Sequence, residues 1–220
     1  MKHKSIMRIF IIIITMAFAA SVILLFSFTA DDSYIVMRYA ENFAETGSLS
    51  FNIGERICMF TSPIQPFIEA LLYKITNQTL FSYKIFSFIL LMASVIIIYK
   101  MFTGEIFLQL YILSVLLLSP PIILWTSGGL ETPILLFITT LISMLTISKE
   151  QPNLKDLIAI YILAGIAFVT RYDASLFVFP VVLYPIGTGT HRASLVPGPC
   201  QTHEKPAWQS TSHCWRSTYI

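Results

Sequence analysis

The stretch that decides the fold is residues 9–28, IFIIIITMAFAASVILLFSF, which holds no charged residue. Three basic residues precede it, at positions 2, 4 and 8. An α-helix needs about 20 residues of this kind to cross roughly 30 Å of hydrocarbon. The run also continues past the small residues at 17–19, where a signal peptidase would cut. The stretch therefore predicts an uncleaved first membrane span.

The composition extends this interpretation to the whole chain. Of 220 residues, 55% are hydrophobic and 12% are charged, whereas about a quarter of residues are charged in soluble domains. We expect an all-α fold, a polytopic transmembrane helical bundle. The net charge of +2 and the absence of a basic cluster in the apolar body exclude nucleic acid as a partner. Cys58 is alone in the body, so no disulfide framework is predicted.

Further apolar segments follow the first. They cover residues 63–76, 86–102, 106–118, 132–147, 157–169 and 174–186. Because excess Lys and Arg stay on the cytoplasmic side, the basic N-terminus is predicted inside and residues 29–62 outside. If the spans alternate, the lysines of the later turns fall inside: Lys74, Lys84, Lys149 and Lys155. The pairs Pro120–Pro121 and Gly128–Gly129 indicate a broken or re-entrant pair of helices that returns to the outer face.

The first outer loop has a helical pattern of its own over residues 33–45. Ile35, Tyr39 and Phe43 fall along one stripe, and the charged residues lie on the more polar side. This pattern predicts an amphipathic helix in the membrane interface. Gly47 is its expected end, and residues 52–55 read as a turn.

The composition changes abruptly after residue 186. Residues 187–220 hold three of the four His, two of the three Cys and two of the three Trp. We therefore divide the chain into a transmembrane part, 1–186, and an atypical tail, 187–220, that is disordered or the product of a frameshift; a genuine soluble extension is the alternative. The tail's metal-capable side chains match no zinc-finger spacing, so no metal site is predicted: Cys200, His203, His213 and Cys214.

The acidic pair Asp31–Asp32 stands at the mouth of the first span, where charge is costly and is retained mainly for function. Asp31, Tyr34 and Arg38 are spaced i, i+3 and i+7, which places them on one helix face. A carboxylate can take a proton from a hydroxyl, and a guanidinium can bind phosphate in a bidentate fork. The alternative is that one aspartate only caps the helix.

Two later polar groups return to the same side of the membrane. Glu131 opens an apolar helix, and Arg171 and Asp173 lie between two apolar runs. A favourable dipole partner and a local ion pair are the simpler interpretations of these residues. Because three separate segments converge on one face, the pattern favours a shared outer cavity in which these groups bind substrate.

The motifs resemble those of a known group of enzymes. DDSYI at 31–35, RYA at 38–40, FN at 51–52, GER at 54–56 and TSP at 61–63 resemble the first-loop signature of bacterial GT-C class membrane glycosyltransferases. GLETP at 129–133 and TRYDA at 170–174 resemble two later motifs of the same class. The resemblance covers roughly residues 1–186 and implies that the chain is the N-terminal portion of a longer, polytopic enzyme.

The resemblance also implies an activity. Such enzymes transfer a sugar, with inversion, from a polyprenyl-phosphate-linked donor to a lipid, glycan or protein acceptor on the outer side of the cell membrane. Asp31 would be the general base with Asp32 beside it, Arg171 would hold the donor phosphate, and Arg38 would assist. No cofactor beyond the lipid-phosphate sugar is implied, and metal dependence stays open. A flippase-like binding protein for a lipid-linked saccharide and a noncatalytic membrane subunit are the alternatives.

Overall fold

The computed structural model describes residues 2–55, 57–102, 105–147, 153–176, 178–180 and 183, with side chains from residue 8 onward. Within these ranges the chain forms helices and no strand. The helices are α1 (Lys2–Leu24), α2 (Asp31–Thr46), α3 (Gln65–Thr76), α4 (Thr79–Met101), α5 (Ile106–Leu117), α6 (Pro120–Gly128), α7 (Thr132–Ile147) and α8 (Leu154–Thr170), followed by a 3-10 turn, Tyr172–Ala174. The prediction of an all-α fold is confirmed.

The apolar helices pack side by side around two hydrophobic clusters. In the first, Phe18 of α1, Leu91 of α4 and Leu117 of α5 are fully buried. In the second, α7 and α8 pack together through Ile142 and Ile160, which are both 1% exposed. The C-terminal ends of α1, α6 and α8 lie at one end of the bundle, since Ala30 N donates to Gly128 O and Arg171 pairs with Glu131.

The lengths of the helices limit which of them could cross a membrane. The 23-residue helix α4 is long and apolar enough to span a bilayer by itself. Helices α5 and α6 pass the same test together and meet at a bend of 52°. The break predicted at Pro120–Pro121 is therefore confirmed, because α6 begins at Pro120 after Ser119, whose backbone is extended. Arg8–Leu24 of α1 and all of α7 are shorter apolar helices.

If the spans alternate, the segment 63–76 has to cross the membrane, but the helix that it forms is too short to do so alone. Helix α3 has 12 residues, about 18 Å of rise, well short of the hydrocarbon thickness. It folds back against α2 instead. It turns Gln65 and Glu69 inward and exposes an apolar stripe of Phe67, Leu71 and Ile75. Apolar content alone suggested a span, but the inward polar face makes α3 a surface helix.

The prediction from alternating spans also puts Lys74 and Lys84 on the opposite side from residues 29–62, and the contacts of Lys84 disagree with that separation. The Nζ of Lys84 donates to Phe26 O at 2.8 Å, to Phe28 O at 2.5 Å and to Thr29 Oγ1 at 2.9 Å. Lys84 therefore closes the C-terminal end of α1, at the same end as residues 29–62. Because α3 packs against α2 and Tyr73 donates to Glu45, Lys74 also lies at this end.

Helix α2 follows the sequence prediction closely. It ends at Gly47, which has a φ of 74° and donates its N–H to Phe43 O. The following loop is held by Asn42, whose Nδ2 donates to Ser50 O and Phe51 O, each at 2.8 Å. The predicted turn at 52–55 is present, with Glu55 N donating to Asn52 O. The buried face is rotated from the predicted stripe: Tyr39 is buried, but Ile35 and Phe43 are only half-buried.

Some predictions lie outside the described residues. The tail 187–220, with its four metal-capable side chains, is one of them, and Lys149 is another. The division of the chain at residue 186 stays a prediction.

Candidate active site

A cavity of about 250 Å³ opens at the end of the bundle where α1 ends. It lies between α2, the segment before α3, the residues before α7 and the residue after α8. Its polar lining is Asp32, Thr61, Ser62, Gln65, Glu131 and Arg171. Ligand pockets for drug-sized molecules usually have about 300–1,000 Å³, so this cavity lies just below that range.

The turn between α6 and α7 packs against the start of α2 and supports the site. Gly129 ends α6 with a φ of 81°, a conformation that glycine adopts without strain. A Cβ there would lie 3.3 Å from Ser33 Oγ and 3.3 Å from Leu80 Cδ1. Ser33 Oγ itself lies 2.6 Å from Gly128 O and 3.0 Å from Gly129 O. The motif GLETP thus brings Glu131 next to the start of α2.

Arg171 is held by two carboxylates. Its Nε and Nη2 each donate to Asp173 at 2.9 Å in a bidentate pair, and its Nη1 donates to Glu131 Oε1 at 3.0 Å. The hydrogen bonds with Asp173 raise the pKa of Arg171 and lower the pKa of Asp173. Of the five N–H groups of a guanidinium, one on Nη1 and one on Nη2 remain for a ligand.

Glu131 is more enclosed than Asp32, the other acid that lines the cavity, and than Asp173. Its side chain is 6% exposed, against 39% for Arg171. Its backbone carbonyl accepts from Ile134 N and Leu135 N, so α7 starts directly after it. The predicted convergence of Glu131 and Arg171 is confirmed by their ion pair.

The acidic pair is divided between two environments. Both aspartates are exposed, but Asp32 lines the cavity with Glu131 and Arg171, whereas Asp31, also a described residue, is not part of the lining. Neither aspartate caps the helix, because the capping position is Ala30 and no side-chain capping bond is present there. Successive helical residues differ by about 100° in direction, which separates the two carboxylates.

Tyr34 and Arg38 lie away from the cavity. Both are exposed on α2, on the face that carries Asp31. The predicted grouping of Asp31, Tyr34 and Arg38 on one face is therefore correct. Among the described residues, however, none of the three lines the cavity that holds Arg171.

Sequence reasoning missed three buried polar residues at this site. They are Ser62, Gln65 and Glu69, each at most 1% exposed. Burial raises the pKa of Glu69 to about 8. The signal that could have found them is the i, i+4 spacing of Gln65 and Glu69 within an otherwise apolar segment.

The described residues contain no group of three or more His, Cys, Asp or Glu side chains that could hold a metal ion.

The comparison with protein families decides the class. The sequence model of the dolichyl-phosphate-mannose-protein mannosyltransferase family matches residues 61–199, well over half of the chain. The chain belongs to this family. It is accordingly a membrane glycosyltransferase of the mannosyltransferase type. Glu131 and Arg171 fall inside the matched residues, and the acidic pair precedes them.

Other comparisons add no relatives to this mannosyltransferase family match. No curated protein and no solved structure matches the chain.

Proposed function

We propose that the chain transfers a sugar from a polyprenyl-phosphate donor to a hydroxyl of a lipid, glycan or protein acceptor, on the side of the membrane that holds residues 29–62. The observation that carries the proposal is the cavity in which Asp32, Glu131 and Arg171 meet. An acid able to accept a proton and a guanidinium able to bind phosphate are the two groups that this transfer needs. Membership of the mannosyltransferase family supports the same reaction class.

The proposed transfer needs only the carboxylate, the acceptor hydroxyl and the polyprenyl-phosphate donor. The carboxylate takes the proton of the acceptor hydroxyl while the oxygen of that hydroxyl attacks the anomeric carbon. The bond from that carbon to the phosphate oxygen breaks, and the electron pair leaves with the polyprenyl phosphate. Attack from the face opposite the leaving group inverts the anomeric centre.

Arg171 is the proposed partner of the departing phosphate. Its two remaining N–H groups can donate to phosphate oxygens while Asp173 and Glu131 hold the guanidinium in place. Because two carboxylates already balance its charge, its contribution comes from directed hydrogen bonds rather than from an unpaired positive charge. Glu131 and Asp173 then act on the substrate through Arg171.

The geometry favours Asp32 over Asp31 as the base. Both side chains are exposed, but only Asp32 lines the cavity. The sequence resemblance favours the first aspartate of the pair, so the two assignments make opposite predictions.

The test compares Asp32→Asn with Asp31→Asn in membranes that contain the full chain. The substrate is a polyprenyl-phosphate mannose, and the measurements are donor consumption and the shift in apparent Tm that the donor causes. Loss of a general base should lower transfer roughly 100-fold or more, so Asp32→Asn should lose transfer, keep donor binding and differ clearly from Asp31→Asn. The reverse ranking would return the role to Asp31.

The flippase-like alternative predicts a different result. A protein that only binds a lipid-linked saccharide would bind the donor and leave it intact in the wild type. Binding without donor consumption in every variant would therefore overturn the proposed transfer.

We also propose that α1, α4, the α5–α6 pair, α7 and α8 cross the cell membrane in alternating directions, with the N-terminus cytoplasmic. The basic N-terminus supports this orientation. Lys100 at the end of α4 and Lys155 at the start of α8 lie at the same end as that N-terminus.

A further inference from the structure

Three buried polar atoms stand without partners in one short segment. They are Ser62 Oγ, Gln65 Oε1 and Glu69 Oε2, and within the described chain no hydrogen bond satisfies them. Buried polar atoms are nearly always paired, so each unpaired one calls for an explanation. Ser62 and Gln65 also line the cavity of the proposed active site. A ligand in this cavity is the partner that Ser62 Oγ and Gln65 Oε1 lack.

The orientation of the Gln65 amide is fixed by its neighbours. Its Nε2 donates to Glu69 Oε1 at 2.8 Å and to Gly129 O at 3.0 Å. A flipped amide would place its oxygen against the Gly129 carbonyl, which can only accept. Both amide hydrogens are therefore used inside the protein, and Oε1 is left as an acceptor for an incoming hydroxyl.

Glu69 stands behind Gln65 and does not line the cavity. It is fully buried, and within this segment its Oε1 accepts a hydrogen bond from Gln65 Nε2. It acts on a ligand only by holding Gln65, which makes it a positioning residue.

We propose that Gln65 Oε1 and Ser62 Oγ form a subsite that recognises one hydroxyl of the donor sugar, with Glu69 as the residue that positions Gln65. The inference rests on the proposed function, because it takes the occupant of the cavity to be the sugar of the donor. Gln65 accepts the hydroxyl's hydrogen bond, and Ser62 can donate to the same oxygen or accept from it. A sugar that lacks this hydroxyl leaves both protein atoms buried and unpaired, so it binds less well.

The test uses polyprenyl-phosphate mannose and its 2-, 3-, 4- and 6-deoxy analogues. The wild type should discriminate against one of these analogues by about tenfold in KM, the effect of one hydrogen bond. Ser62→Ala and Gln65→Leu should reduce that discrimination towards one, with little change for the other three analogues. Ser62→Ala removes an atom that has no partner in the structure, so it leaves the fold intact.

Variants of Glu69 separate positioning from folding. Glu69→Gln keeps an oxygen that accepts from Gln65 and should retain the discrimination, whereas Glu69→Leu should lose it. The matched control is Ser127→Ala, because Ser127 Oγ is equally buried and unpaired but lies outside the cavity lining. It should behave as the wild type does.

The results of these measurements separate the hydroxyl subsite from the proposed sugar transfer. If donor is consumed but Ser62→Ala and Gln65→Leu discriminate among the analogues as the wild type does, the subsite is wrong and the transfer stands. If the donor binds without being consumed, the transfer is wrong, and the same comparison is made on the ligand-induced shift in apparent Tm. If neither polyprenyl-phosphate mannose nor any analogue binds the wild type, both are overturned.

Discussion

At the residue scale, burial and pairing give the site's acids different properties. Asp173 is 45% exposed and is held by Arg171, which lowers its pKa. No cation among the described residues contacts Glu69, and burial raises its pKa to about 8. The neutral form of Glu69 therefore dominates at pH 7, and the carboxyl can stay buried beside Gln65 without an unpaired charge.

This difference predicts how stability depends on pH. The folded pKa of Glu69 lies above the ordinary value of 4.5, so its contribution is complete below that value and is lost as the pH rises through about 8. The apparent Tm of the wild type in detergent should fall across this window. Glu69→Gln has no proton to lose at this position, so its apparent Tm should fall less.

The control for this measurement is Glu55→Gln, at an exposed acid in the first loop. It should reproduce the pH dependence of the wild type. Equal slopes for Glu69→Gln and the wild type would show that Glu69 does not carry the effect.

At the element scale, the turn from α6 to α7 joins the parts of the site. The carbonyl of Gly129 accepts from both Ser33 at the start of α2 and Gln65 at the start of α3. Helices α2 and α3 are therefore both anchored to the Gly129 carbonyl, and the positive φ of Gly129 sets the direction of that carbonyl. Glu131 follows two residues later and pairs with Arg171.

Gly129→Ala should consequently destabilise the protein. An L-residue in the left-handed conformation costs about 1–2 kcal/mol, and the new Cβ would lie 3.3 Å from Ser33 Oγ and Leu80 Cδ1. We expect a lower apparent Tm and weaker donor binding in detergent-solubilised protein.

Gly165→Ala is the matched control, because Gly165 lies within α8 and a Cβ there meets no atom within 4 Å. Alanine is favoured over glycine in a helix by roughly 0.5–1 kcal/mol, so this variant should be as stable as the wild type or slightly more stable. A Gly129→Ala protein as stable as this control would contradict the role given to the turn.

At the scale of the whole molecule, the bundle has two unlike ends. One end carries α2, α3, the cavity and the C-terminal end of α1, which is closed by Lys84. The other end carries the start of α8, where Asn153 and Asp156 form a capping box. The proposed orientation places the first end outside the cell.

Cysteine labelling tests this arrangement. In a chain with its three cysteines replaced by serine, Lys74→Cys should react with a membrane-impermeant maleimide in intact cells, because α3 folds back at the outer end. Lys155→Cys should react only after the membrane is permeabilised. Both lysines are exposed, so access to the reagent depends on the side of the membrane. Protection of position 74 in intact cells would restore the crossing that apolar content suggested for residues 63–76.

Local patterns in the sequence determined the all-α fold, the extent of α2 with its end at Gly47, and the break before α6. Composition, helical spacing and the conformational preferences of Gly and Pro act over a few residues, so these features can be read from short segments. The residues Asp32, Glu131 and Arg171 could be named as candidates for the same reason.

Only the tertiary structure decided which acid of the pair lines the cavity, and that α3 turns back against α2. Adjacent helical residues differ by about 100°, so packing against the rest of the fold selects between Asp31 and Asp32. The bond from Gln65 to Gly129 joins residues 64 positions apart. No local pattern encodes such a contact, because it forms only when separate helices pack and their buried polar groups find one another.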